Sequence, residues 1–296
     1  MKIKRILAAT DLSPCASYAD TRAAMLASEL GCKALDLVHV IDPSMPGALE
    51  LVLKGTYGSE EIFTKEQAER ALQNIASRLI SDHQVASHCH VELGRPSTKI
   101  DEKAEELSAE LIIVGAHGCG ALQALFIGNT AYKLLHIGRR PILIVKNPPE
   151  HVYRHVLVPI DFSENSKQAA KVALAIAPSA EVTLLHAFGV PQEGLMQYAS
   201  VSTDFVQTYR VGAKRIAAEQ MEHFAATLDA GDRAILHRHI FGYPPMAIQE
   251  FIEKTKPDLV VMGKHGQNRV EDFLLGSVTR STLDYSDCDM LVTLPD

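Results

Sequence analysis

The chain has 296 residues, 47% hydrophobic and 22% charged, which is ordinary for globular protein and suits two domains. Its net charge is −7 without a long basic run, which argues against non-specific nucleic-acid binding, because that requires clustered Lys and Arg. No apolar run approaches the roughly 18 residues of a membrane span, and the N-terminal apolar run reaches Asp11 too soon for a signal peptide. The five cysteines form no CxxC pair. The sequence therefore predicts a cytoplasmic protein with reduced, mostly buried thiols and with neither membrane nor nucleic acid as partner.

The strongest internal signal is a stretch that occurs twice. A short apolar run at 111–114 is followed by Gly-Ala-His-Gly, nine residues and Gly-Asn. The run at 259–262 is followed by Gly-Lys-His-Gly, nine residues and Gly-Ser, 148 residues further along the chain. A repeat of this period predicts two copies of one domain, because each copy is long enough to form its own core. We expect the domains at 1–147 and 153–296, with prolines in the linker between them.

The first copy alternates strand and helix patterns along the chain. Short Val/Ile/Leu runs predict strands, and apolar residues spaced three and four apart predict helices. The predicted strands cover 3–10, 34–41, 85–93, 111–114 and 141–145, and the predicted helices cover 13–30, 60–82, 97–108 and 129–136. The stretch 43–58 has three glycines and two prolines, which predicts a long loop of the kind that often binds ligands.

The second copy repeats this order. Its predicted strands cover 155–160, 181–187, 234–241, 259–262 and 290–294, and its predicted helices cover 168–177, 204–228 and 246–255, with a last one beginning after Gly276. A second long loop is predicted at 189–202. Strands that alternate with helices indicate the α/β class, with a parallel sheet covered on both faces. In such sheets ligands bind beyond the carboxyl ends of the strands.

The glycine stretch itself has the composition of an anion site. Glycines after a strand let the main chain approach a phosphate, and the helix that follows presents backbone N–H groups. Gly263 and Gly266 would surround one part of a phosphate chain, and Gly276 and Ser277 another. Glycines that only make turns are the alternative, but matched positions in both copies favour binding. Neither the GxxxxGK[ST] nor the GxGxxG pattern is present.

With these glycines in place, the sequence resembles the universal stress protein family in its tandem two-domain form. The resemblance rests on the glycine pattern, on the stretch 158–163 (VPIDFS) and on 184–186 (LLH), and it spans both halves. It implies, for each domain, a five-stranded parallel sheet of order 3-2-1-4-5, the Rossmann-like fold of the adenine nucleotide alpha hydrolases. In many members of the family it also implies a bound ATP.

The resemblance further implies a set of nucleotide-binding residues in each copy. In the second copy these are Pro159, Asp161, Ala187, Met262, Gly263, Gly266, Gly276 and Ser277. In the first copy the matching residues are Asp11, Val40, Gly115, Gly118, Gly128 and Asn129. Two positions depart from the pattern, because Ala9 replaces the proline and Asn129 replaces the hydroxyl residue. We therefore expect the second copy to be the stronger site.

The leading hypothesis is a regulatory stress-response protein that binds an adenine nucleotide. ATP is the expected ligand, with ADP or AMP as alternatives and Mg²⁺ as an accompanying ion, and no catalytic residue or protein-bound metal site is identified. A slow ATPase and a nucleotide-free protein-interaction module remain open, although no GxSxG elbow is present. The resemblance suggests that the domains pair through their final strands as a pseudo-dimer. An unidentified protein partner and a homodimer are further expectations.

Overall fold

The computed structural model describes residues 2–32, 34–43, 65–116, 127–188, 203–231, 233–266 and 275–294. The chain divides into two compact units, one built mainly on Lys2–Val152 and the other mainly on Tyr153–Cys288. Apart from Pro43, the predicted loops at 43–58 and 189–202 lie outside the described residues, as does Gly118. Within the described part of the chain, no helix is both long and apolar enough to cross a membrane.

The first unit is a parallel five-stranded sheet with four helices. Its strands are β1 (Arg5–Ala9), β2 (Ala34–Ile41), β3 (Ser87–Leu93), β4 (Leu111–Gly115) and β5 (Ile142–Val145). Its helices are α1 (Ala16–Leu30), α2 (Lys65–His83), α3 (Pro96–Glu106) and α4 (Asn129–Ile137). The strands lie in the order β3-β2-β1-β4-β5, which confirms the expected order for this half. The central strands are buried because helices cover both faces.

The second unit repeats this arrangement. Its strands are β6 (His155–Pro159), β7 (Glu181–Phe188), β8 (Ile235–Phe241), β9 (Leu259–Gly263) and β10 (Asp289–Thr293). Its helices are α5 (Glu164–Ile176), α6 (Thr203–Ala226), α7 (Pro244–Thr255) and α8 (Ser277–Tyr285). The strand order is β8-β7-β6-β9-β10, which is again 3-2-1-4-5 by position in this half. The α/β class predicted from the alternating pattern is confirmed.

The register of the strands brings the candidate residues to one edge of each sheet. In the first unit Ala9 is paired with both Val38 and Val114, so that β1, β2 and β4 end at nearly the same level. Asp11, Val40 and Gly115 follow or complete these strands and therefore share that edge. The glycine stretch and the segment after β1 are thus close in space although they are about a hundred residues apart in the chain.

Three sequence predictions need correction. Helix α5 begins at Glu164 and not at 168, because the Ser163 hydroxyl accepts a hydrogen bond from the Ser166 amide and starts the helix early. Helix α7 begins at Pro244 and not at 246, because proline is well suited to the first helical position. The cysteines are not mostly buried: of the four described thiols, Cys15 is exposed and only Cys288 is buried.

Candidate functional site

In the second unit a strained turn joins β6 to α5. The residue after Asp161 is Phe162, whose φ of 63° lies in the left-handed region, which side chains other than glycine seldom adopt. An Oδ1 atom of Asp161 accepts hydrogen bonds from both the amide and the hydroxyl of Ser163 and holds the turn. Ser163 then caps α5. The serine therefore caps the helix, and the carboxylate of Asp161 supports the turn.

The first unit has the same turn between β1 and α1. Leu12 follows Asp11 and has a φ of 65°. The Ser13 amide donates to Asp11 Oδ1 at 3.0 Å, and the Ser13 hydroxyl accepts from the Ala16 amide at 3.1 Å. A bulky residue in the left-handed region costs about 1–2 kcal/mol. Strain at matched positions in both units marks this turn as a backbone shape that serves a site.

The glycine stretch of the second unit lies directly against this turn. A Cβ atom placed on Gly266 would lie 2.5 Å from Asp161 Oδ2, so that the carboxylate would have to move aside. A Cβ atom on Gly263 would lie 3.0 Å from the Cβ atom of Asn165, in the first turn of α5. Both glycines thus allow close approach to the turn, and the loop carries Gly266 to the carboxylate of Asp161.

Asn165 anchors this loop and was missed by the sequence analysis. Its side-chain amide donates to the carbonyl oxygen of His265 at 3.1 Å, and the residue is buried. Cys15 occupies the corresponding position after the first turn and is exposed. A comparison of the two halves would have revealed this residue, because one copy has an amide side chain at the helix start where the other has a thiol.

The far end of the glycine stretch is tied back to its beginning. The Gly276 amide donates to the Lys264 carbonyl at 2.9 Å, and the Gly128 amide donates to the Ala116 carbonyl at 2.7 Å. A Cβ atom on Gly276 would lie 3.5 Å from His265 Cα and 3.8 Å from the Gly266 amide nitrogen. The amide of Gly276 is thus used within the protein, and the outward-facing donors of this edge come from the helix that follows.

Helix α8 supplies those donors. It begins at the exposed residue Ser277, and the Thr279 hydroxyl donates to the Gly263 carbonyl at 2.9 Å, which holds the helix start against the end of β9. The first-turn N–H groups of a helix have no intrahelical acceptor and carry partial positive charge. In the first unit α4 begins in the same way at the exposed residue Asn129. Each helix start is suited to an anion.

Aromatic side chains cluster at the turn after β6. The Phe162 ring lies 4.3 Å from the His186 ring and 5.8 Å from the Phe224 ring, centroid to centroid. His186 Nδ1 is 2.9 Å from the Ile160 carbonyl oxygen, and burial lowers the pKa of His186. A neutral imidazole in this place connects β7 to the segment after β6.

The matching histidine of the first unit has the same role. His39 is buried, and its Nδ1 atom is 2.9 Å from the Thr10 carbonyl oxygen. Both histidines are therefore hydrogen-bonded residues at strand ends. Each one ties the second strand of its sheet to the turn after the first.

The predicted site residues of the second unit differ in how accessible they are. Asp161, Gly263, Gly266, Gly276 and Ala187 are partly exposed and Ser277 is exposed, whereas Pro159 and Met262 are buried at their strand ends. In the first unit Val40, Gly115 and Gly128 are partly exposed, and Asp11 and Asn129 are exposed. Lys264 is buried, with 4% of its surface exposed. Within the described residues, no cluster of His, Cys, Asp or Glu has the form of a metal site.

Each unit thus combines a parallel sheet, a glycine turn and a helix start at one edge, which defines an α/β protein with a candidate anion cleft. The sequence model of the universal stress protein family matches residues 2–146 and again residues 152–293. The chain therefore belongs to the universal stress protein family, in a tandem form.

Individual relatives agree with this assignment. Half of the chain (50%) aligns with 86% of a universal stress protein of Methanocaldococcus jannaschii at 30% identity. A larger share, 88%, aligns with 87% of a universal stress protein of Mycolicibacterium smegmatis at 22% identity. The crystal structure of a universal stress protein from Archaeoglobus fulgidus matches 99% of both chains with a TM-score of 0.70 at 19% identity, which shows a common fold.

Proposed function

We propose that this chain is a regulatory protein that binds an adenine nucleotide, ATP above all, in the cleft of the second unit. One observation carries the proposal: Gly266 lies against Asp161 Oδ2, and Gly276 lies against the same loop beside the start of α8. The residues that the family resemblance implied are therefore neighbours in space. Ribose or base would meet the carboxylate, and phosphates would meet the helix start.

The charges and sizes of the groups around this cleft fit a nucleoside phosphate. The first-turn amides of α8 favour negative charge, and the buried Lys264 adds a positive charge within the loop. The part-exposed rings near Asp161 offer a surface on which a planar base can stack. Any Mg²⁺ would arrive on the phosphates, with outer ligands from water.

The first unit supports a weaker site by the same reasoning. Ala116 brings no charge where Lys264 does, and Asn129 has no hydroxyl where Ser277 has one. Asp11 is exposed, whereas Asp161 is partly buried and held beside Gly266. A carboxylate that is already oriented loses less freedom when a ligand binds, so that Asp161 contributes more affinity.

The proposal is tested by titrating ATP calorimetrically into the full chain and into the variants Asp161→Ala and Asp11→Ala. We expect one tight site, weakened at least about tenfold by Asp161→Ala and little changed by Asp11→Ala, since a hydrogen bond to a charged group is worth about 1.5–3 kcal/mol. Two equivalent sites, or a site lost only in Asp11→Ala, would contradict it.

Two further readouts separate the other functions. A nucleotide-free interaction module predicts no rise in melting temperature with ATP, whereas a binder must gain stability by mass action. Steady turnover of ATP with Mg²⁺ that Asp161→Ala abolishes would assign a slow ATPase. Three expectations stay predictions: pairing of the two units through their final strands, a homodimer and a protein partner. Sedimentation of the full chain is the measurement that checks its assembly.

A further inference from the structure

A buried acid distinguishes the first unit from the second. Asp20 lies on α1, one turn after Ala16, and only 1% of its surface is exposed. The Thr10 hydroxyl donates to Asp20 Oδ2 at 3.4 Å, and Asp20 Oδ1 has no hydrogen-bond partner among the residues that the structure describes. Burial without a paired cation strongly favours the neutral form of a carboxyl group.

The groups around Asp20 belong to the candidate site. The Thr10 hydroxyl, which Asp20 contacts, also accepts a hydrogen bond from the Leu12 amide at 3.2 Å and so forms part of the strained turn. The other titratable neighbours are the Asp11 carboxylate, the Arg78 guanidinium on α2 and the His39 ring at the Thr10 carbonyl. Strands β4 and β5 carry no titratable side chain.

These neighbours leave Asp20 poised between its two protonation states. Burial is the largest cause and raises the pKa of Asp20 to about 7, against the opposing effects of Arg78 and Thr10, and Asp11 raises it further. A charge that forms on Asp20 is therefore felt by Asp11, the predicted ligand-binding carboxylate.

The second unit has nothing comparable beneath its cleft. Asp20 stands nine residues after Asp11, and the residue nine positions after Asp161 is the fully buried Ala170. Ile160 takes the place of Thr10. The two units can therefore be compared directly, because the same turn lies next to a buried carboxyl group in the first unit and not in the second.

We infer that Asp20 couples ligand binding in the first unit to uptake of a proton. An anionic adenine nucleotide binds there together with a proton on Asp20, and the second unit binds the nucleotide without that proton. The physical reason is repulsion, because an ionised Asp20 adds a buried negative charge to that of the exposed Asp11, at the edge of the sheet where the anionic ligand binds. The inference rests on the proposed function and assigns Asp20 as the residue that makes the two sites differ in the pH dependence of binding.

The experiment measures the first site alone in the full chain. The Gly266→Val substitution is expected to weaken the second site strongly, since its side chain would displace the Asp161 carboxylate. ATP is titrated into this variant with and without Asp20→Asn, at about pH 6 and about pH 8, one unit on either side of the Asp20 pKa of about 7. The second site of the otherwise unmodified chain, titrated in parallel, corrects for the protonation of ATP itself.

We expect the affinity of the first site to fall about tenfold between these two pH values, and Asp20→Asn to remove that fall, because the binding-competent protonated fraction falls about tenfold. Ala170→Asp, made in the chain with an intact second site, is expected to transfer the same pH dependence to the second site and tests the idea by a second route.

Three results would overturn the inference. In the first, the fall with pH persists in Asp20→Asn after correction. In the second, the first site stays silent in Asp20→Asn at both pH values while the second site binds ATP. In the third, the second site of the unmodified chain binds no ATP. That result refutes the proposed function and this inference together, whereas the first two results refute the inference alone.

Discussion

The segments after β1 and after β6 share a backbone conformation but are surrounded by different side chains. Both place a bulky residue in the left-handed region directly after an aspartate, with φ of 65° and 63°. Both set a histidine Nδ1 atom 2.9 Å from a main-chain carbonyl. Both tie the residue after the fourth strand to a glycine amide. The described main chain of the two units is therefore alike at these three places.

The side chains around that main chain differ. Asn165 holds the glycine loop in the second unit, where the first unit has the exposed thiol Cys15. Asp20 lies below the first cleft, where the second has Ala170. A duplicated main chain thus keeps the shape of a site, while its charge and the order of its loop change independently. The predictions below test this difference, beginning with the largest effect.

The largest expected effect concerns the pH dependence of stability in the first unit. The folded pKa of Asp20, about 7, lies above the ordinary value of 3.8. The folded state therefore binds more protons, and the associated stability is full below about pH 4 and lost as the pH rises to about 7. Over that window the contribution of Asp20 to the free energy of unfolding should fall by about 4 kcal/mol.

Asp20→Asn should abolish this fall, because an amide has no proton to lose in this range. Urea unfolding at a series of pH values measures it, and the exposed Asp11→Asn is the matched control. Parallel pH profiles for Asp20→Asn and the unmodified chain would show that the buried carboxyl group is not responsible.

The next effect concerns the loop of the second unit. Gly266→Val should weaken ATP binding at the second site at least about 100-fold, or about 2.7 kcal/mol, because its Cβ would have to displace the Asp161 carboxylate. Gly212→Val is the control, since a Cβ there meets nothing within 4 Å. Titration calorimetry compares the two variants, and equal losses would mean that the contact with Asp161 has no part in binding.

A smaller effect is expected for the loop anchor. Asn165→Ala removes the hydrogen bond to the His265 carbonyl, which is worth about 1 kcal/mol. The affinity of the second site for ATP should fall about fivefold, and the circular dichroism of the chain should be unchanged. Cys15→Ala, the matched substitution in the first unit, should have no effect on that site. A similar loss in both variants would refute a specific role for Asn165.

Much of the fold was predictable because its signals are local or repeated. Short apolar runs gave the strands of both halves, and the glycine pattern led to the family and so to the strand order. The starts of α5 and α7 were misplaced because capping by Ser163 and the fit of Pro244 outweigh apolar spacing. Helix ends depend on such single contacts, whereas helix existence depends on many residues.

The burial of charged residues was harder to predict from the sequence. Asp20 follows Ala16 by four residues and precedes Ala23 by three, so that helical spacing placed it on the inward face, a signal that was overlooked. The burial of Asp36 could not have been predicted in this way. It lies fully buried in β2 and pairs with Arg5 on β1 and with His90 on β3, at 2.7 and 2.8 Å. Partners on other strands are set by sheet order, which a single chain segment does not encode.

The most direct test of the difference between the two clefts is the number of tight ATP sites in the unmodified full chain, measured by titration calorimetry at about pH 8, above the Asp20 pKa of about 7. We predict one tight site per chain, which Asp161→Ala removes and Asp11→Ala retains. Two sites of equal affinity, or one site that depends on Asp11 alone, would contradict the assignment of the second unit as the principal nucleotide site.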